Sequence, residues 1–332
     1  MKKALFFVSI LALLASCNLN SKSGKHMVSG NAFGSTYDIT YLGEEIPDLA
    51  QRIDSFVLSF NASLSTYDST SLLSRINRNT AYEMDELVKT TIAKGLLISD
   101  RCSGAFDMTI GPLSEAWGFG LKHAENMDST RVNEIMRSVG YRKVWMDGNS
   151  LSKLDSGLRF DVNGIAPGLA SDMISSMLNA WGYHNFYVNV GGEIFCQGKN
   201  VDSVDWRIAV EQPIENKTST NAAQRTIGIS DQAIATSGNY RKFYVKDGKK
   251  YAHTIDPRTG YPIQHTLLSA TIVGPECVTA DALATACMVM GRGEAKVMLE
   301  QQFPDYAYFF IYDDGNGGFM EEWSPSLKEK LQ

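Results

Sequence analysis

The sequence predicts an α+β fold with antiparallel or mixed sheets and flanking helices. Three observations support this prediction: apolar residues recur at helical spacing in several segments, short β-branched and aromatic segments lie between turn residues, and two pairs of these segments are joined by hairpin turns. Helices and strands do not alternate as regular βαβ units, so a parallel doubly wound sheet is not expected.

Four helices are predicted from apolar residues that recur every three or four positions. In the first, Leu49, Ile53, Val57 and Phe60 share one face. Glycines follow the other three, where helices commonly end. The predicted helices are residues 46–60, the segment that carries Val88, Ile92 and Leu96, residues 165–181, and residues 280–289.

Strands are predicted at the start of the fold and through the second half of the chain. Asp247 and Gly248 separate two short strands, which is a strong hairpin signal, and a glycine-rich turn separates the last two strands. The predicted strands are residues 32–42, 185–190, 193–197, 206–210, 225–229, 242–245, 250–253, 306–312 and 318–323.

Composition and charge limit the classes of protein to which the chain can belong. Of 332 residues, 44% are hydrophobic and 20% are charged, which is typical of a globular protein. The formal charge is −6, so the basic surface of a nucleic-acid-binding protein is absent, and no nucleic-acid partner is expected. A phosphate-bearing ligand would need a metal ion, a helix N-terminus or backbone N–H groups to hold it.

The N-terminus resembles the export signal of a bacterial lipoprotein. Two lysines precede a short apolar segment, which is too short to span a bilayer, and small residues stand directly before Cys17. We therefore expect a signal peptide at residues 1–16, a lipidated (palmitate-bearing) Cys17 with a flexible tether at residues 17–30, and a folded domain at residues 31–332. Loss of Lys2 and Lys3 would change the formal charge from −6 to −8. The alternative is an ordinary signal peptide with a cysteine there by chance.

The four remaining cysteines are expected to be buried free thiols. None of them forms a C-x-x-C pair, so zinc-ribbon and thioredoxin-type sites have no support. They are Cys102, Cys196, Cys277 and Cys287.

Asp281 and Thr285 are four residues apart in a predicted helix of small residues. Their oxygens would lie on one helix face, where a carboxylate and a hydroxyl could bind a hard cation such as Mg²⁺. The alternative is that Asp281 caps the helix.

The segment from Asp161 to Gly168 leads into the helix predicted over residues 165–181 and includes its first residues. Its glycines allow close backbone approach, and free N–H groups at a helix start attract phosphate. The spacing matches neither a Walker A loop nor G-x-G-x-x-G, and the segment could be a simple helix entry.

His253 lies at the end of a predicted strand and beside a Pro/Gly turn. This position suits a general base or a ligand contact, although a single histidine is more often structural. Around Phe106, aromatic residues interspersed with glycine could form a stacking wall for a planar ring, or a packed loop.

Taken in order, these segments resemble the ApbE family of Mg²⁺-dependent FAD:protein FMN transferases. The resemblance covers nearly the whole chain after the signal peptide. The matching segments are residues 32–37, 65–67, 104–107, 161–168, 191–193, 236–240, 253–260 and 280–286.

The resemblance implies a two-lobed fold in which FAD, the substrate, binds in a cleft between the lobes with Mg²⁺ on its diphosphate. It implies metal ligands at Asp281, Thr285 and the main chain of Gly164 and Ala284. The residues that fall where the family contacts FAD are Phe33, Tyr67, Ala105, Phe106, Asp107, Asp161, Pro167 and Ile255. The family often has Met in place of Phe33 and Lys or Glu in place of Pro167.

The chemistry that the resemblance implies is transfer of FMN from FAD to a Thr or Ser hydroxyl of a target protein, with release of AMP and with His253 as the general base. The acceptor would be a membrane redox subunit, and the enzyme would face the periplasm from a lipid anchor in the bacterial envelope. Two alternatives remain: a Mg²⁺-dependent FAD pyrophosphatase, and a lipoprotein that binds flavin without catalysis.

Overall fold

The computed structural model describes residues 24–119, 125–211, 223–239, 243–246, 249–252, 254–316 and 318–331. Among these residues, no helix is both long enough and apolar enough to cross a membrane.

An eight-stranded antiparallel sheet forms the centre of the molecule, and its strands follow the order β1-β2-β5-β6-β9-β12-β13-β14. Three two-stranded sheets, β3-β4, β7-β8 and β10-β11, accompany it. The strands are β1 (Gly24–Ala32), β2 (Ser35–Gly43), β3 (Val144–Asp147), β4 (Ser150–Lys153), β5 (Phe186–Val190), β6 (Glu193–Gln197), β7 (Trp206–Glu211), β8 (Ala223–Ile229), β9 (Gln232–Gly238), β10 (Phe243–Lys246), β11 (Lys249–Ala252), β12 (Leu267–Gly274), β13 (Ala307–Asp313) and β14 (Phe319–Trp323).

Helices lie mainly on one face of the sheet. They are α1 (Leu49–Leu64), α2 (Leu72–Asn77), α3 (Glu86–Arg101), α4 (Gly111–Ala116), α5 (Ser129–Met136), α6 (Ala166–Ala180) and α7 (Cys277–Gln302), with short 3-10 helices at Tyr141–Lys143 and Pro325–Lys330. The predicted α+β class is confirmed, and so are the four predicted helices, with shifted ends.

The large sheet buries both of its faces, because successive side chains of a strand point to opposite sides. In β13, Tyr308 and Phe310 join the main core beneath α1, α3, α6 and α7, whereas Phe309 and Ile311 join a second core on the other side. The β7-β8 hairpin covers that second core with alternate side chains of both strands.

A third, smaller core forms a separate lobe beside the sheet. It contains apolar side chains of α4 and α5 together with Ile255. Trp117, at the end of α4, links α4 to the segment that contains Ile255, because its Nε1 donates to the carbonyl oxygen of Gly260 at 2.9 Å. The space between this lobe and the end of the large sheet is the cleft described below.

Residues 24–30, predicted as part of a flexible tether, instead form most of β1, so that prediction is wrong. β1 pairs with β2 along its whole length. The polar composition of residues 24–30 is typical of a flexible segment, but β1 is an edge strand that needs few buried side chains. Backbone hydrogen bonds to β2 hold it in place. Residues 1–23, with the predicted signal peptide and Cys17, lie outside the described residues.

The strand predicted over residues 32–42 begins before the turn that precedes β2, whose first residue is Ser35. Phe33 and Gly34 form a two-residue hairpin turn between β1 and β2, with φ values of 54° and 75°. An aromatic residue in the left-handed region is uncommon and costs about 1–3 kcal/mol. The turn therefore holds the Phe33 ring in a place that the backbone alone would not favour.

Helix α7 continues beyond the predicted end at Gly291. The backbone leaves helical geometry there, with φ 72° and ψ 170°, but a further helical segment follows directly. Gly291 therefore marks a break within α7, whereas the sequence predicted that the helix ends there. The cysteine prediction is confirmed: Cys102, Cys196, Cys277 and Cys287 are buried and free.

Candidate active site

A cleft of about 1700 Å³ lies between the end of the large sheet and the smaller lobe. Its walls come from the β1-β2 turn, the end of α1, two loops that precede α4 and α6, the β5-β6 turn, β7, β9 and one face of α7. The predicted site residues that line it are Phe33, Tyr67, Ala105, Phe106, Asp107, Asp161, Gly164, Pro167, Ile255, Asp281 and Thr285.

One predicted site residue within the described part of the chain does not line the cleft. Ala284 belongs to α7, is fully buried, and does not line the cleft. His253 and Cys17 lie outside the described residues, although Thr254 and Ile255, which follow His253, both line the cleft. A smaller hollow of about 250 Å³ beside Asp172 and Glu276 contains none of the predicted residues, so the large cleft is the candidate site.

Asp281 and Thr285 lie in α7, four residues apart, and α6 packs closely against them. Gly168 N–H donates to Oδ2 of Asp281 at 3.1 Å. A Cβ atom at Gly168 would lie 2.5 Å from the carbonyl oxygen of Cys277, so only glycine permits this contact. Asp281 is 4% exposed and yet contributes to the cleft wall.

Gly164 brings a segment of main chain next to the Thr285 hydroxyl. A Cβ atom on Gly164 would lie 2.9 Å from Oγ1 of Thr285 and 3.5 Å from the Phe106 ring. The Ser237 hydroxyl of β9 lies 3.5 Å from the same Thr285 oxygen. A carboxylate, two hydroxyls and a main-chain segment therefore surround one small region of the cleft.

Burial raises the pKa of Asp281 well above its ordinary value, and the nearby Glu193 carboxylate raises it further. Burial also raises the pKa of Glu193, to about 7. No Lys or Arg partner of either carboxylate exists among the residues that the structure describes. A bound cation would remove this penalty, because it would neutralise the two negative charges.

These donors suit Mg²⁺, which prefers carboxylate, hydroxyl and carbonyl oxygens over nitrogen and sulfur. No group of three or more His, Cys, Asp and Glu side chains in metal-binding positions occurs within the described residues, so a transition-metal site has no support there. Of the predicted metal ligands, Asp281, Thr285 and Gly164 line this part of the cleft, whereas Ala284, predicted as a main-chain ligand, does not.

Asp107 and Asp161 both accept hydrogen bonds inside the protein. Asp107 accepts from Thr109 at 2.7 and 2.8 Å and from the N–H of Tyr141 at 2.7 Å. Asp161 accepts from the N–H of Asn163 at 3.0 Å and from the side chains of Ser114 and Asn163, and burial raises its pKa. Both carboxylates therefore fix the loops that form this part of the cleft wall.

Aromatic side chains also line the cleft. The Phe33 ring lies 4.7 Å from the Phe60 ring, Phe106 forms part of the wall, and Tyr67 is 61% exposed. Large apolar surface that stays open to solvent beside a cleft is typical of a binding site for a planar ring.

The start of α6 lacks the free N–H groups that were expected to attract phosphate. Ala166 N–H donates to the carbonyl oxygen of Val162, Gly168 N–H donates to Asp281, and Pro167 has no N–H. That expectation is wrong for these residues, because a local turn occupies the Ala166 donor and the contact with α7 occupies the Gly168 donor. Charge compensation for a phosphate must come mainly from elsewhere.

The segment after His253 is fixed to α7 by an ion-pair cluster. Arg258 donates to Asp256 in its own turn at 3.0 Å and to Glu294 of α7 at 2.5 Å. Because Ile255 and Pro257 of this segment line the cleft, α7 positions both the carboxylate side of the site and the turn beside His253.

The cleft residues that were not predicted as site residues include Glu193 and Ser237. Both stand beside glycines in segments that carry the family resemblance. The neighbouring glycines were the pattern that could have indicated these two side chains. Neither residue lies in a predicted helix, where a spacing like that of Asp281 and Thr285 would bring polar side chains together.

Comparison with known proteins gives a consistent result. A model of the ApbE family matches residues 33–310. The FAD:protein FMN transferase of Vibrio cholerae is 35% identical, over 100% of this chain and 99% of its own, and that of Haemophilus influenzae is 33% identical, over 99% and 98%.

Solved structures agree with the sequence relatives. A structure of the flavin transferase ApbE from Vibrio cholerae superposes with a TM-score of 0.83 at 34% identity and covers 93% of this chain and 100% of its own. The apo flavinyl transferase ApbE of Pseudomonas stutzeri also gives 0.83, at 30% identity, with coverage of 93% and 97%.

Proposed function

The chain belongs to the ApbE family, and from this premise we propose how its cleft carries out the transfer of FMN from FAD to a target protein. The protein is an FAD:protein FMN transferase. The observation that carries the mechanism is the meeting of Asp281, Thr285 and the main chain of Gly164 in one wall of a large cleft.

The cleft is large enough for two substrates. Typical small-molecule sites have volumes of about 300–1,000 Å³, whereas this cleft measures about 1700 Å³. We place the flavin and adenine rings against Phe33, Tyr67 and Phe106, with Asp161 and Ile255 as further contacts. The remaining space would admit an acceptor segment with a Thr or Ser hydroxyl.

The proposed metal site lies where α6 and α7 touch. Asp281 supplies a carboxylate oxygen, Thr285 a hydroxyl, and Gly164 and Ala284 main-chain oxygens. When bound, Mg²⁺ would offset the negative charge of the FAD diphosphate. This proposal is supported by the occupied N–H groups at the start of α6, since the helix itself offers little to a phosphate there.

The transfer step needs an activated hydroxyl and a departing AMP. The acceptor oxygen attacks the FMN phosphorus, a new O–P bond forms, the P–O bond to AMP breaks, and the hydroxyl proton passes to a base. His253 is the proposed base, because its neighbours Thr254 and Ile255 line the cleft. Positioning and charge stabilisation would supply most of the rate enhancement.

We further propose that the enzyme is a lipoprotein of the bacterial envelope. The support is the sequence before Cys17, with its two lysines and apolar segment. β1 begins at Gly24, so only residues 18–23 would separate the lipid from the fold. The acceptor would then be a protein at the membrane surface, such as a redox subunit.

The test is flavin transfer by the full chain in the presence and absence of Mg²⁺. Membrane proteins from a strain that lacks this chain serve as the acceptor, and FAD is the donor. Flavin fluorescence on a denaturing gel, mass spectrometry of Thr and Ser residues, and AMP release are measured together. We expect protein-bound FMN only with Mg²⁺, at a stoichiometry close to the AMP released.

The matched variant is Asp281→Asn, which keeps the size of the side chain and removes its charge. We expect transfer to fall by about 10²-fold, with a higher Mg²⁺ requirement and little change in thermal stability. Normal transfer with an unchanged Mg²⁺ requirement would refute the metal site. Release of AMP without protein-bound FMN would instead indicate hydrolysis of FAD.

A further inference from the structure

We propose that Glu193 is a second negatively charged group of the Mg²⁺ site and acts together with Asp281. This inference rests on the proposed metal site and adds a residue to which no role has been given above.

The position of Glu193 in β6 determines which way its side chain points. Ile194, the next residue, packs into the core beneath the β7-β8 hairpin, whereas Phe195 packs against the main core beneath the helices. Because side chains alternate along a strand, Glu193 lies on the same face as Phe195. That face is the one covered by α6 and α7.

The start of α7 lies directly against this part of β6. Cys277 Sγ is 3.5 Å from the carbonyl oxygen of Ile194, and Asp281 follows one helical turn later. Glu193 and Asp281 line the same cleft.

The β5-β6 turn directs the Glu193 carboxylate into the cleft. Gly191 and Gly192 have φ values of 72° and 118°, and Gly192 N–H donates to Oδ1 of Asn189 at 2.9 Å. A Cβ atom on Gly191 would lie 3.3 Å from Oε2 of Glu193. The carboxylate therefore folds back over a turn that has no side chain to block it.

Two carboxylates in one wall without a cationic partner repel each other when both are charged, and a cation bound between or beside them would relieve that repulsion. Within the described residues, the partner of Asp281 is Gly168 N–H, on Oδ2, and neither acid forms an ion pair with Lys or Arg. Charge count sets the affinity of oxygen sites for divalent cations. Glu193 would therefore strengthen Mg²⁺ binding, directly or through a bound water.

The test measures metal binding by the full chain without FAD, so that turnover plays no part. Binding of Mn²⁺ is followed by the loss of its free EPR signal, with Mg²⁺ as competitor. We expect Glu193→Gln to weaken Mn²⁺ and Mg²⁺ binding by about 10-fold or more. The matched control is Glu211→Gln, which removes a carboxylate from the β7 side of the same cleft and should leave both affinities unchanged.

Thermal melting provides a second measurement. Without metal, Glu193→Gln should melt no lower than the wild type, because the substitution removes repulsion with Asp281. Saturating Mg²⁺ should raise the melting temperature of the variant less than that of the wild type.

The outcomes separate this inference from the metal site itself. If Asp281→Asn weakens metal binding and Glu193→Gln leaves it unchanged, Glu193 has no part in the site and the inference fails. If both variants bind metal normally, the proposed Mg²⁺ site fails as well.

Discussion

At the scale of single residues, the site depends on places where a side chain is missing. Gly164 allows the main chain to approach Thr285, and Gly168 allows α6 to touch α7. Neither glycine has a positive φ, so the requirement is for space and not for an unusual backbone conformation. The two contacts bring the N-terminal end of α6 to the carboxylate and hydroxyl of α7.

Gly164→Ala tests this requirement at the proposed metal site. The new methyl group would lie 2.9 Å from Oγ1 of Thr285, so we expect FMN transfer to fall by about 10-fold or more while the protein stays folded. Transfer rate, Mg²⁺ requirement and melting temperature are measured together.

The control for Gly164→Ala is Gly293→Ala, at an exposed position of α7 with open space around its Cβ position. It should leave transfer unchanged and stabilise the protein by about 0.4–1 kcal/mol. Wild-type activity of Gly164→Ala would show that the metal does not use this main-chain segment.

His253→Ala should reduce FMN transfer by about 10²-fold while FAD and Mg²⁺ affinities remain close to the wild type. The reason is that a general base acts on the acceptor hydroxyl and not on the bound ligands. Stopped-flow transfer rates and FAD titrations measure the two quantities separately. An equal loss of FAD affinity and rate would make His253 a ligand contact or a structural residue.

At the scale of elements, α7 organises the site. Its first half carries Asp281 and Thr285, and Glu294, beyond the break at Gly291, holds the turn that follows His253. Asp172 of α6 fixes the start of α7, where it accepts hydrogen bonds from the N–H groups of Cys277 and Val278 at 2.9 and 2.8 Å. The two helices are therefore held together both at this N-terminus and at Gly168.

Asp172→Ala should destabilise the protein by about 1–3 kcal/mol, because two N–H groups at the start of α7 lose their acceptor. Urea denaturation measures the change, and Asp172→Asn, which keeps one oxygen, should lose less. A loss below the error of the urea measurement would mean that water replaces the cap.

The pH dependence of stability provides the internal check on Asp172. Burial raises the pKa of Asp172 from 3.8 to about 6, so the native state binds more protons than the unfolded chain in that interval. The contribution of this residue to stability therefore falls as the pH rises from about 4 to 6. The Asn variant should lack this component of the pH profile.

At the scale of the whole molecule, the large sheet is a rigid base with both faces buried, and the cleft lies at its end. If Cys17 is lipidated, residues 18–23 span at most roughly 20 Å when extended. The domain would then stay close to the membrane, which suits an acceptor at the membrane surface.

Cys17→Ser should move the protein from the membrane to the soluble fraction and leave FAD binding and melting temperature unchanged, since the substitution precedes β1, the first strand that the structure describes. Fractionation after a high-salt wash measures the distribution. A Ser variant that remains in the membrane fraction would contradict lipid anchoring.

The local elements of this protein follow largely from its sequence. β6 has the bounds that were predicted, α6 differs by one residue at each end, and Asp281 and Thr285 share one helix as their spacing requires. Periodic apolar residues and turn-forming glycines encode such features, because backbone hydrogen bonds and side-chain direction depend on a few neighbouring positions.

The family resemblance also located the segments that line the cleft. By contrast, β1, β3, β4, β9 and β12 were missed. The edge strand β1 lacks a strong apolar pattern, β3 and β4 have only four residues each, and β9 and β12 contain many small or polar residues. For these strands the pairing partners, and not local composition, determine the structure.

Only the tertiary structure determined which of these segments meet. Gly168 and Asp281 are 113 residues apart in the chain, yet they share a hydrogen bond, and Glu193 from a third element acts on the same carboxylate. The sequence determined the fold class, the four longest helices, most strands and the candidate ligands. Packing of α6, α7 and β6 around a shared core determined the charge and shape of the site, because contacts between distant segments depend on that packing and leave no local pattern in the sequence.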